Sequence, residues 1–190
     1  HSVHGRSGLG EAKIDLKKEK EWWKVFPSSA PELIAKMANE FPGELTLIAT
    51  GPLTNLALGI QKDVEGIKKL KEIVIMGGAV RTKGNITPYA EFNIYVDPLA
   101  AKIVFGSGLP ITLVPLDVTH QVSLTPQWVE QKLIPINNSF SRFAIEATGY
   151  DSTRHQFRNK ELIYLHDPLA VGVVVNPELT CTQLVPLFVV

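Results

Sequence analysis

Three largely apolar runs of strand length punctuate this chain: Leu45–Ala49, Ile73–Met76 and Ile111–Leu116. Continuous apolar runs, as opposed to alternating ones, mark strands covered on both faces. Between and after them the apolar period lengthens to three or four. Leu33, Ile34, Met37 and Ala38 share one helical face, as do Leu53, Leu56, Ala57 and Ile60. Ser28-Ser29-Ala30-Pro31-Glu32 carries the signals of a helix start, a Ser cap, a first-turn Pro and an early acid, and Pro42-Gly43 stops that helix. Asp97 is placed to cap a helix over 98–105, and Thr125-Pro126 opens another. Residues 126–160 read as helical and partly polar. An apolar helix over 169–175 follows His166-Asp167-Pro168 and closes at Asn176-Pro177. Residues 183–190 read as an unfinished strand. Residues 11–26 read as a charged connection or a short helix with Trp22 and Trp23 turned inward. Strand and helix alternate, which predicts an α/β fold: an open, mostly parallel sheet with helices on both faces.

Composition narrows the partners. The 190 residues suit one domain, 1–190, with no internal repeat or dividing linker. Lys plus Arg number 19 and Asp plus Glu number 19, so no net charge draws the chain to nucleic acid or an acidic membrane. Its apolar runs are far too short to span a bilayer and no signal peptide opens it, which leaves the cytoplasm as the expected setting. The lone Cys181 excludes an internal disulfide and is expected to be a small buried side chain.

Candidate chemistry concentrates after the second apolar run. Ile75-Met76-Gly77-Gly78 is followed by Gly84-Asn85 and by Ala90-Glu91-Phe92-Asn93-Ile94. An open α/β sheet builds its ligand crevice at the carboxyl ends of its strands. Two amides and a carboxylate there offer the donors and acceptors that a polyhydroxylated ligand such as a sugar needs. The same residues also serve as turn formers and a solvated acid, and the spacing leaves both readings open. His166-Asp167 before an apolar helix is equally two-sided. The aspartate either caps the helix or brings an ionised carboxylate to a metal at its positive end.

These segments resemble the inosine-uridine preferring nucleoside hydrolase family in order and spacing. So do Val3-His4-Gly5 with Gly8-Leu9-Gly10, Ala49-Thr50-Gly51-Pro52-Leu53-Thr54-Asn55-Leu56-Ala57, Asp97-Pro98, Pro115-Leu116-Asp117-Val118-Thr119 and Leu165-His166-Asp167-Pro168-Leu169-Ala170. The resemblance implies hydrolysis of the N-glycosidic bond of ribonucleosides, purine or pyrimidine, to free base and ribose. It assigns Met76, Asn85, Glu91, Phe92, Asn93 and His4 to substrate binding, and His166 to protonating or polarising the departing base. It assigns Asp167 and the main-chain carbonyl of Thr50 to a calcium ion, and it implies a homodimer or homotetramer. The family's aspartate-rich signature, which supplies further calcium ligands and the base that activates water, has no counterpart here. Both ends therefore read as cut, and the calcium site is expected to be incomplete. Arg6-Ser7 stands where family members commonly carry acidic residues, and residues 151–164 depart from the family forms in a stretch that selects the base. A noncatalytic nucleoside-binding protein, or an inactive remnant on the same fold, is the competing reading.

Overall fold

Side chains on a strand alternate between its two faces, and Ile73, Val74, Ile75 and Met76 divide between two separate cores on that rule. The computed structural model describes residues 26–157 and 160–189. In chain order its main elements are α1 (Ala30–Glu40), β1 (Thr46–Ala49), α2 (Thr54–Ile67), β2 (Glu72–Met76), α3 (Phe92–Val96), α4 (Pro98–Phe105), β3 (Ile111–Val114), α5 (Leu116–Thr119), β4 (Ser123–Leu124), α6 (Pro126–Trp128), α7 (Ser139–Thr148), β5 (Tyr150–Asp151), β6 (Gln156–Phe157), β7 (Ile163–Tyr164) and α8 (His166–Val175). They fall into two compact units, one containing 26–122 and 166–189, the other 123–157 and 160–165.

In the first unit, β1, β2 and β3 form a parallel sheet in that order, with Ala49 opposite Ile75 and Met76 opposite Val114. Ile73 and Ile75 face a core built by Ala35 and Ala38 of α1, Leu56, Ala57 and Ile60 of α2, and Ala101 and Val104 of α4. Val74 and Met76 face the opposite core, with Val114, Leu116, and Leu169, Ala170 and Val173 of α8. Helices thus cover both faces, as the apolar runs predict. Each fully buried Val or Ile contributes about 1.5–3 kcal/mol relative to exposure, so the centre of this sheet supplies much of the unit's stability. Among the described residues β1 lies at the sheet edge, and its four residues are only half-buried.

Helix starts follow the sequence signals. Ser29 precedes α1, and its N–H donates to Glu32 Oε2 at 3.1 Å. Glu32 also pairs with Lys62, and the side-chain bond to Lys62 leads the effects that lower its pKa to about 2. Asp97 Oδ1 accepts from Ala100 N at 2.9 Å, and its Oδ2 accepts from the Thr54 hydroxyl at 2.5 Å. The Thr54 bond first, and the Ala100 bond second, hold the Asp97 carboxyl below its ordinary value. A depressed carboxylate contributes stability that is present above its unfolded pKa of about 3.9 and is lost as pH falls through the lower folded value. Asp97→Asn is therefore expected to flatten the acid limb below about pH 4 in a series of urea midpoints against pH. An unchanged limb would show that the bond to Thr54 carries no linkage.

Several expectations are corrected. Leu116 does not extend β3; after Pro115 the chain turns into the short helix α5. Residues 126–160 are not helical throughout. Helical turns run from α6 to α7, and the chain then doubles back as β5 and β6, paired antiparallel, while β7 pairs with β4. Residues 181–189 form no strand, although Val189 packs against the first core. Cys181 is exposed, because it lies on that irregular segment and not on a packed element. Trp22, Trp23 and His4 lie outside the described residues. Among the described residues, no helix is long and apolar enough to cross a membrane.

In the second unit, Leu124, Val129, Tyr150 and Phe157 form a small core with Leu133, Ile145, Ile163 and Leu165 around it. Glu130 Oε1 meets the Tyr150 hydroxyl at 2.5 Å and His155 Nδ1 at 2.7 Å. Burial first, and the bond to Glu130 second, raise the Tyr150 phenol to about 12.

Candidate functional site

The carboxyl end of β2 is a knot of polar groups, and its backbone geometry explains the glycines there. Gly78 sits at φ +81°, a left-handed conformation that a side chain would strain. At Gly84 an added Cβ would run into the Ala90 backbone carbonyl, so only glycine allows the loop 84–90 to fold back on itself. That fold brings Asn85 to Phe92, whose N–H donates to Asn85 Oδ1 at 2.8 Å.

Glu91 is the hub. It is 3% exposed and caps α3, a short helix that the sequence reading did not foresee. Its Oε2 accepts from Gly78 N at 3.0 Å, Asn93 N at 2.9 Å and Ile94 N at 3.2 Å. Among the described residues its Oε1 shares only the Asn93 N–H, at 2.9 Å, and keeps acceptor capacity. Asn93, buried beside it, donates through Nδ2 to the Met76 carbonyl at 3.1 Å and lies 3.5 Å from the Met76 sulfur. These bonds use Asn85 Oδ1 and Asn93 Nδ2, and leave the Asn85 amino group and the Asn93 carbonyl oxygen for other partners. Met76, Asn85, Glu91, Phe92 and Asn93 are therefore one connected network. Within it Met76 is buried, and Phe92 is half-exposed.

His166 and Asp167 open α8, which packs on β2 and β1 and touches α5 just beyond the end of β3. His166 is half-buried and Asp167 exposed. His166 Nδ1 lies 2.7 Å from the hydroxyl of Thr119, a residue with no exposed surface, and the His120 ring meets His166 edge-on at 5.7 Å. From sequence, Thr119 enters only within the family-like segment 115–119, and His120 has no chemical argument. Asp117 was quoted without a role, and its carboxylate accepts from Val80 N at 2.9 Å and Arg81 N at 2.7 Å, fixing the loop that leaves Gly78. The available signal was position: a run of polar residues just past the end of a buried strand.

Thr50 is exposed immediately after β1. Its carbonyl and the Asp167 carboxylate are hard oxygen donors, the kind calcium takes, but calcium takes six to eight. Among the described residues no group of three or more His, Cys, Asp or Glu side chains could hold a metal ion. The donors fit in kind and fall short in number.

The family model described as inosine-uridine preferring nucleoside hydrolase matches residues 1–189. Uridine nucleosidase 1 of Arabidopsis thaliana is 39% identical over 181 residues, covering 93% of this chain and 52% of that protein. The inosine-uridine preferring nucleoside hydrolase of Crithidia fasciculata is 36% identical over 186 residues, covering 97% of this chain and 58% of that protein. Among solved structures, a plant nucleoside hydrolase superposes with a TM-score of 0.82 at 38% identity, covering 94% of this chain and 55% of that one. The chain spans about half the length of the relatives it matches. With a strand-end polar network of this kind and a family match along nearly its whole length, the chain belongs to the inosine-uridine preferring nucleoside hydrolase family.

Proposed function

We propose that the complete protein containing this chain hydrolyses the N-glycosidic bond of ribonucleosides in the cytoplasm, with uridine and inosine as first substrates to test. The observation that carries this reading is the network joining Met76, Asn85, Glu91 and Asn93 at the end of β2. Family membership and the printed names of the relatives support the substrate class. The exposed free Cys181 suits a reducing compartment. The homo-oligomer of this reading rests on the family resemblance alone.

In this reading the Asn85 amino group donates to a ribose hydroxyl, while the Asn93 carbonyl oxygen and Glu91 Oε1 accept from others. Phe92 packs against the base or the pocket wall, and Met76 forms the floor beneath the sugar. His4, outside the described residues, is assigned to the base by the family resemblance alone. The bond from C1′ to the base nitrogen breaks as the ring takes on oxocarbenium character, and the anionic Glu91 favours the developing positive charge. Water supplies hydroxide to C1′ and a proton to the base, giving ribose and free base. His166 donates a hydrogen bond to the departing base, whose proton comes from the water. The Thr50 carbonyl and Asp167 would hold part of a calcium ion, with further ligands from outside this chain. When bound, that ion supplies positive charge that orients and acidifies water.

The test is direct. The complete protein, incubated with calcium and either nucleoside, is expected to release reducing sugar, and a chelator is expected to abolish the release. Ribonucleoside binding by calorimetry without turnover or calcium requirement would replace this reading with a noncatalytic binder.

A further inference from the structure

The Thr119 hydroxyl is fully buried, and among the described residues its one hydrogen-bond partner is His166 Nδ1, at 2.7 Å. The Thr119 N–H already donates to Pro115 O, and its carbonyl accepts from Val122 N, so the backbone of this turn is satisfied without the side chain. A threonine in a helical turn often returns its hydroxyl to the carbonyl three or four residues back. Here it bonds across to α8 instead, over 47 residues of sequence. A buried hydroxyl hydrogen without an acceptor costs free energy. The acceptor within reach is Nδ1, and Nδ1 accepts only when it carries no hydrogen of its own.

We propose that Thr119 is a positioning residue that fixes His166 as the neutral tautomer with its proton on Nε2. The hydroxyl donates to Nδ1, so Nε2 becomes the donor nitrogen on the ring edge turned away from Thr119. The His120 ring, edge-on at 5.7 Å and inclined at 62°, restricts rotation of the imidazole about its side-chain bonds. Which ring nitrogen carries the proton is set by the bond its neighbour makes, and outer partners of this kind commonly matter ten- to a hundredfold. The catalytic part of this inference rests on the proposed function; the tautomer does not.

Two measurements on the complete protein keep those parts separate. Nitrogen-15 NMR of the His166 ring, at a pH where imidazole is neutral, is expected to show an unprotonated Nδ1 and a protonated Nε2 in the wild type and in Thr119→Ser. In Thr119→Val the two nitrogens are expected to move toward each other as the tautomers mix. Under turnover, Thr119→Val should lower kcat on the order of tenfold with little change in KM, and Thr119→Ser should restore most of it. Should the valine variant not fold, Thr119→Ala against Thr119→Ser makes the same comparison. A protonated Nδ1 in the wild type, or indistinguishable kcat values for the Val and Ser variants of an active enzyme, would overturn the proposal. Absence of turnover in the wild type would overturn the functional reading alone, because the NMR result would still decide the tautomer.

Discussion

Glu91→Ala is expected to destabilise the protein by about 3 kcal/mol or more. The side chain is 3% exposed, and three backbone N–H groups, those of Gly78, Asn93 and Ile94, donate to it. Each buried donor left without a partner costs about 1–3 kcal/mol, and loss of a helix cap alone costs about 1 kcal/mol. Water entering the vacated space recovers part of that, so the estimate sits toward the low end of the sum. Glu91→Gln tests whether charge or acceptor geometry is responsible. Its amide can set the oxygen at the Oε2 position and keep the bonds from Gly78, Asn93 and Ile94, with the amino group replacing the less used Oε1, so its loss should fall well short of alanine's. The check is the urea midpoint and slope of each variant against wild type. A loss below about 1 kcal/mol for alanine, the ordinary scale of a lone helix cap, would mean that the three bonds are not made together in solution.

His166→Ala is expected to lower kcat of the complete enzyme by about 10²–10³, the range for removing one positioned hydrogen-bond donor to developing negative charge. A nucleobase is a poor leaving group as an anion, and protonation or a strong hydrogen bond as the bond breaks removes much of that penalty. The dependence on leaving group is therefore the sharper readout. Ribosides whose leaving groups depart as stable anions should lose far less than uridine or inosine. Equal losses for both kinds would assign His166 to sugar binding or to the architecture around Thr119 and His120. Steady-state kcat and KM with both substrate kinds settle the choice.

What the sequence made legible was the part governed by local rules. The α2 face of Leu53, Leu56, Ala57 and Ile60 is buried along its length, and Asp97 caps α4 as its position suggests. The helix over Phe92–Val96 was hidden because it is one turn long and is held by a carboxylate, with no apolar stripe to announce it. The strands β5 and β6 are two residues each, too short for alternation to register, so their stretch reads as a continuation of the helical region. At the candidate site the residue types at 85, 91 and 93 were visible, but the burial of Glu91 and its bond to Gly78 were not, since those depend on how the loop 84–90 folds back. Thr119 and His166 are 47 positions apart, and no periodicity links such a pair.

The placement of Glu72–Met76 at the middle of the sheet also governs how the first unit comes apart. Alternate residues of that one strand anchor two hydrophobic clusters that otherwise belong to opposite sides of the sheet. Neither cluster can be lost while the other persists intact, because either loss strips one face of the shared strand. The polar knot at the strand's end therefore inherits the cooperativity of the whole unit, and melts with it and not before it.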